Sequence, residues 1–210
     1  MPAAPTLPVS PPALAAPQTF FDYHRTIVGY HGTRRPTAKA LVDGAAFTAS
    51  TNDDDWLGHG IYFWEYAPQQ AWWWARRRYG GEAAVVGAMI HLGRCLDLLD
   101  PANVGLLDAA QQKLTAALSA AGQKGLRNAN THKYLDCAVF NYLFERLDAR
   151  GHSYESVRAV FVPMETGKMP RLWDRSGIFK GGHIQVCVRK PTNILAVWSV
   201  RKDGRYGKDD

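Results

Sequence analysis

The sequence predicts a single α+β domain, and three observations carry that expectation. Short β-branched and apolar runs occur in both halves of the chain, helical periodicities lie between them, and no regular strand–helix–strand alternation links them. With 210 residues, 46% hydrophobic and 21% charged, the chain has the length of one domain and enough apolar surface for a core.

The elements follow in order. Residues 1–17 carry six of the twelve prolines and no charged side chain, which predicts an extended, poorly ordered leader over 1–19 and one domain over 20–210. Residues 26–31 read as a strand running into a glycine loop, and 36–42 as a short helix stopped near Gly44. Residues 60–64 predict a second strand, after which Pro68 opens a helix with Ala67, Ala71 and Ala75 every fourth position. An apolar strand is expected over 84–92. Leu107, Leu114, Leu118 and Ala121 keep helical spacing, as do Leu135, Val139, Tyr142 and Leu143, the latter helix ending by Gly151. Residues 157–162 and 194–200 are apolar strands. Residues 183–189 alternate, with Ile184, Val186 and Val188 on one face and His183, Gln185 and Cys187 on the other.

Composition excludes several classes. The apolar runs are too short to span a bilayer, so no membrane association is expected. No cationic and apolar leader marks secretion. Cys95, Cys137 and Cys187 are odd in number and far apart, which disfavours a disulfide framework or a zinc ribbon and predicts a reducing, cytoplasmic setting. The seven histidines show no ligand spacing, so no metal is expected. Neither a G-x-G-x-x-G nor a P-loop pattern is present. The net charge of +6 permits an anionic partner without requiring one, since much of the excess sits in runs such as Arg76-Arg77-Arg78.

Three segments carry candidate chemistry. Tyr30-His31-Gly32-Thr33 places an imidazole at a strand end beside a backbone no Cβ obstructs. In Trp56-Leu57-Gly58-His59-Gly60-Ile61-Tyr62-Phe63-Trp64-Glu65, two glycines bracket the entry to a strand on which Ile61 and Phe63 face one way, Tyr62 and Trp64 the other. Tyr62 is a candidate for stacking on a flat heterocycle. Trp72-Trp73-Trp74 follow on a helix, and three consecutive residues cannot share one helix face, so at least one is exposed or lines a cleft. In the third segment, Gln185 stands opposite the apolar face of its strand and points to water or into a cleft. Asp53, Asp54, Asp55 and Glu65 lie close to the Tyr62 strand as further acids.

In order and spacing these segments resemble the ADP-ribosyltransferase fold, in the diphtheria-toxin-like branch that includes the poly(ADP-ribose) polymerases. The likeness spans residues 26–189. It implies split β-sheets flanked by helices around an NAD cleft, with NAD as co-substrate. It implies that His31 bonds the adenosine ribose, that the Gly32 backbone, beside Thr33, pairs with the nicotinamide carboxamide, and that Tyr62 stacks on the nicotinamide ring. Trp73 falls where the family places a second stacking aromatic, Gln70 where it places a hydroxyl, and Gln185 where the polymerases carry their catalytic glutamate. The last departure matters because the ribose–nicotinamide bond breaks with oxocarbenium character, and glutamine offers a dipole without a negative charge or proton acceptance. The resemblance therefore implies a mono-ADP-ribosyltransferase with a nucleic-acid or protein acceptor, His31, Tyr62 and Gln185 being catalytic. The alternative is a binding module for NAD or ADP-ribose. Small enzymes of this type occur in bacterial toxins and phage defence, which implies a possible neutralising partner protein. Both readings require His31, Tyr62 and Gln185 to gather around one slot.

Overall fold

Among the described residues proline sets three of the four α-helix starts, because its fixed φ suits a first helical turn whose N–H has no partner. The computed structural model describes residues 22–129, 131–163 and 170–201, so the expected leader over 1–19 lies outside the described residues. Helix α1 (Arg35–Val42) has Pro36 in its first turn, α2 (Pro68–Tyr79) begins at Pro68, and α3 (Pro101–Ala120) begins at Pro101. Asp100 caps α3 by accepting from the Ala102 N–H at 2.9 Å. Helix α4 (Tyr134–Asp148) completes the set.

The strands are β1 (Asp22–Arg34), β2 (Ile61–Glu65), β3 (Ala83–Asp97), β4 (Ser156–Phe161), β5 (His183–Val188) and β6 (Ile194–Val200). Strands β1 and β3 run longer than the periodicity predicts. They pair with each other from Asp22–Arg94 to Arg34–Ala83, and that ladder supplies partners the local sequence does not announce. The strand expected to stop before Gly93 instead passes through it. Gly93 adopts φ 56°, and a Cβ there would collide with the Glu155 carboxylate.

The strands form one sheet in the order β1-β2-β5-β4-β3-β6, with β1 also pairing β3. Its joints are short. β1 meets β2 at Gly29–Glu65 and Tyr30–Trp64, and β3 meets β4, in parallel, from Cys95–Ser156 to Asp97–Arg158. Two three-stranded halves result, β1-β3-β6 and β2-β5-β4, facing each other across an apolar filling. α3 and α4 lie between β3 and β4 in the chain.

Alternation assigns the cores. Ile27, Ile61, Phe63, Ile90, Val186 and Val188 pack between the halves. Burying a side chain such as Phe63 completely contributes about 1.5–3 kcal/mol relative to leaving it in water. Val139, Phe140, Leu143 and Phe144 of α4 cover the outer face of β2-β5-β4 through Val157, Ala159 and Cys187. Ala71, Trp72 and Ala75 of α2 cover Tyr30 and Val85 on the other half. Arg158 sits on the inner face between two carboxylates, its Nε 2.5 Å from Glu65 Oε2 and its Nη1 3.1 Å from Asp97 Oδ2. Among the described residues no helix is long and apolar enough to cross a membrane.

Candidate functional site

The β1–β2 ladder ends at Tyr30–Trp64, so beyond it the strands diverge and β1 keeps only β3 as a neighbour. Residues of an antiparallel strand present their N–H and C=O together, alternately to one edge and the other. Of His31 and Gly32, one therefore faces β3 and the other the vacated edge. The His31 side chain bridges the opening: its Nδ1–H donates to the Tyr62 backbone carbonyl at 2.9 Å. Its ring stands edge-on to Phe47 (5.4 Å between centroids) and beside Phe63 (5.6 Å). Burial lowers the His31 pKa below 6.5 against the raising effect of the Tyr62 carbonyl, so the neutral ring keeps an unprotonated Nε2. That ring and Thr33 line a pocket of about 690 Å³ together with Arg34, Phe47, Arg78 and Tyr79.

Gly32 has a packing reason to be glycine. A Cβ there would stand 2.7 Å from the Ala71 carbonyl oxygen and 3.1 Å from the Trp74 ring, so α2 lies directly on the strand. The helix phase then sorts its aromatics. Trp72 is buried, Trp74 lies over Gly32, and Trp73 is 61% exposed with the Arg77 guanidinium 5.7 Å from its ring. Gln70 occupies the first turn of α2 and is half-buried.

Gln185 lies on the outer face of β5, opposite Trp64 of β2 and Ala159 of β4. Its Oε1 accepts from the Trp56 indole N–H at 2.7 Å, and its Nε2 lies 3.1 Å from His183 Nε2. The Trp64 indole N–H donates to the same His183 nitrogen at 3.1 Å. Phe161 closes the group, 5.2 Å from the His183 ring and 5.3 Å from Trp56. Half-buried and uncharged, this cluster orients an amide without sealing it away.

Tyr62 shares that outer face and is held by its hydroxyl, which donates to the Gly58 carbonyl at 2.7 Å and accepts the Leu57 N–H at 2.9 Å. Burial, and next the neighbouring Cys187, push its pKa far above the ordinary tyrosine value, so it is a neutral anchor. The phenol ring of Tyr62 and the imidazole of His31 thus leave opposite faces of the split. His31 with Thr33 stands on one side of β2, and Gln185 beside Tyr62 on the other, with the His31 ring bonded to the Tyr62 backbone between them. Rings connect them: Tyr79 to Trp74 at 5.8 Å, Trp74 to Trp64 at 5.6 Å, and Trp64 to His183 at 6.5 Å.

Of the further acids, Glu65 and Asp54 have side-chain partners of their own, and Asp55 lies near enough to Tyr62 and Cys187 to add to the rise that burial gives both pKa values. Glu65 faces inward onto Arg158, with Arg25 3.4 Å away. Asp54 meets His132 at 2.6 Å, and Asp55 accepts from the Asn52 N–H at 3.1 Å. The three cysteines are free and buried, and desolvation raises the Cys95 thiol to about 12 and the Cys137 thiol to about 11. Among the described residues no group of three or more His, Cys, Asp or Glu side chains is arranged to hold a metal ion.

Sequence reasoning placed Trp56, Trp74 and His183 within the three segments without giving them a role in the site, and passed over Phe161. For His183 the signal was present, since strand alternation places it on the Gln185 face. Trp56 opens the segment that carries Tyr62, but its bond to Gln185, 129 positions away, has no local mark, nor has the placement of Phe161. Comparison of the chain with family models, curated proteins and solved structures finds no match.

Proposed function

We propose that the protein cleaves NAD and transfers single ADP-ribose units to a macromolecular acceptor. The observation that carries this reading is the pocket lined by His31, Thr33, Arg34 and Arg78, whose imidazole and guanidiniums suit a ribose and a diphosphate. An extended dinucleotide has matching chemistry. Its diphosphate suits the Arg34 and Arg78 guanidiniums, a ribose hydroxyl suits the bare Nε2 of His31, and its nicotinamide suits an aromatic wall. Two sheet halves that part beyond Tyr30 and Trp64, with helices outside them, also suit the split-sheet arrangement this reading calls for.

Gln185 contributes an oriented dipole. With Oε1 held by the Trp56 indole N–H and Nε2 3.1 Å from His183 Nε2, the amide is fixed in direction, and its second N–H is the group that would donate to a ribose hydroxyl oxygen. The acceptor is a nucleic acid or a protein. Arg76, Arg77 and Trp73 form an exposed basic and aromatic surface on α2 beside the pocket, which suits phosphates and bases as well as acidic side chains. The absence of a formal charge at Gln185 favours a second reading, a module that binds NAD or ADP-ribose without turnover.

Incubation with NAD, with and without cell lysate, separates the two. Nicotinamide release that requires lysate is the expected result. Binding of NAD without release under either condition selects the module, and failure to bind NAD removes both.

A further inference from the structure

Arg34 lines the His31 pocket, and the next residue, Arg35, lines a second cavity of about 400 Å³ with Trp72, Arg76, Gly80 and Gly81. Among the described residues its lining carries no acid; Glu82, between Gly81 and Ala83, is exposed and is not part of it. The lining does hold an unused donor. Trp72 is only 5% exposed, and its indole N–H is buried with no hydrogen-bond partner among the described residues. A buried donor left unpaired is costly, and an acceptor atom entering the cavity relieves that cost. The Arg76 guanidinium stands 5.9 Å from the same indole ring. A Cβ on Gly80 or Gly81 would meet nothing within 4 Å, so the backbone there is open to a ligand.

Charge around the cavity is one-sided. Arg76, Arg77 and Arg78 fill the last turn of α2 and are exposed. A helix C-terminus presents about half a negative charge, which a single guanidinium already offsets. Neither these arginines nor Arg34 and Arg35 have an ion-pair partner among the described residues. Trp73 stands among them, 61% exposed, with the Arg77 guanidinium 5.7 Å from its ring. An acidic peptide would use the charges and leave the indole idle, whereas a nucleic-acid strand uses both, phosphates on guanidiniums and a base on the ring.

We infer that this face anchors the acceptor, and that the acceptor is an unpaired nucleic-acid strand with one phosphate held by Arg35, Arg76 and the Trp72 N–H and a neighbouring base on Trp73. The acceptor role rests on the transferase reading; the binding does not. Arg34 and Arg78 line the neighbouring pocket, so a strand anchored here is held beside the dinucleotide. In the transfer, an oxygen or nitrogen of the strand bonds to the anomeric carbon of the nicotinamide ribose and loses its proton to water. The ribose–nicotinamide C–N bond breaks, its electron pair neutralises the pyridinium nitrogen, and nicotinamide leaves.

The test follows fluorescein-labelled oligothymidine and oligouridine by anisotropy with the full chain, without NAD, over a series of KCl concentrations. Binding that weakens as salt rises is expected. Arg35→Ala and Arg76→Ala are each expected to weaken it about 5-fold and to lower the slope of log affinity against log salt by about 0.7. Trp73→Ala is expected to weaken it about 10-fold with the slope unchanged, a split that diffuse charge attraction does not produce. With NAD labelled in its adenylate half, the bound strand is expected to take up the label, and the strand that takes it distinguishes DNA from RNA. Poly-glutamate bound as tightly as either strand, wild-type affinity in both arginine variants, or a strand that stays unlabelled while lysate protein is labelled overturns the inference and leaves the transferase reading intact. Strand binding in the expected pattern by a chain that neither binds nor cleaves NAD overturns the acceptor role together with the transferase reading and leaves the strand anchor standing.

Discussion

The two faces of β2-β5-β4 carry polar groups of opposite kinds. On the inner face Arg158 lies between Glu65 and Asp97, charges sealed among apolar side chains and satisfied by one another. On the outer face Trp56, Trp64, His183 and Gln185 are neutral, linked by single hydrogen bonds and half open to solvent or to α2. The inner group has no capacity left for a ligand. The outer one is a chain of neutral hydrogen bonds, Trp56 to Gln185 and Trp64 to His183, partly reached by solvent. The difference teaches that an acid near a candidate site in sequence is no candidate when strand alternation turns it inward.

Breaking the inner group costs most. Arg158→Met leaves two buried carboxylates unpaired and is expected to lower the unfolding free energy by about 3–5 kcal/mol in denaturant titration. A loss below 1 kcal/mol, on the order of a surface pair, contradicts the sealed arrangement. On the outer face the effect moves from stability to turnover. Gln185→Ala is expected to slow nicotinamide release about 100-fold, about 2.7 kcal/mol of barrier, with little change in Tm. Undiminished release assigns the chemistry to another residue. Tyr62→Phe leaves the Leu57 N–H and the Gly58 carbonyl without their partner, and a stability loss of about 1–3 kcal/mol is expected while the ring still stacks and NAD cleavage persists. Lost cleavage with unchanged stability inverts that assignment.

Acid tests the two histidines from both faces. Burial holds the pKa values of His31 and His183 below 6.5, so the unfolded chain binds protons the folded chain does not. Their contribution to stability is complete above pH 6.5 and declines as pH falls toward their folded values. Replacing both with glutamine is expected to flatten that part of the stability–pH curve, and a curve of unchanged slope refutes it. Smallest of all, Trp73→Ala is expected to stay within about 0.5 kcal/mol of the parent in denaturant, since the ring is largely in water. A larger loss contradicts its exposed placement.

Much of the fold was legible because each strand buries one face and so displays a period of two. The alternation in β5 placed Gln185 and His183 on one side and Val186 on the other, and the alternation in β2 separated Phe63 from Tyr62 before any contact was known. The helices announced themselves through proline starts and fourfold spacing. What was not legible arises between distant segments. The parting of β1 from β2 depends on where a ladder stops, which no local pattern records. Whether Trp73 or Trp74 turns inward depends on the phase at which α2 settles on Gly32. The inward direction of Glu65 was implied by its step from Phe63, yet its partner Arg158 lies 93 positions later and carries no local mark.

The seam of two residue pairs between β1 and β2 leaves the gap between the sheet halves governed by what is wedged into it, with little backbone ladder to resist. His31 and Phe63 pack against each other there, 5.6 Å between ring centroids. A single replacement such as Phe63→Leu therefore removes volume from the filling that holds the two halves apart without touching a strand ladder.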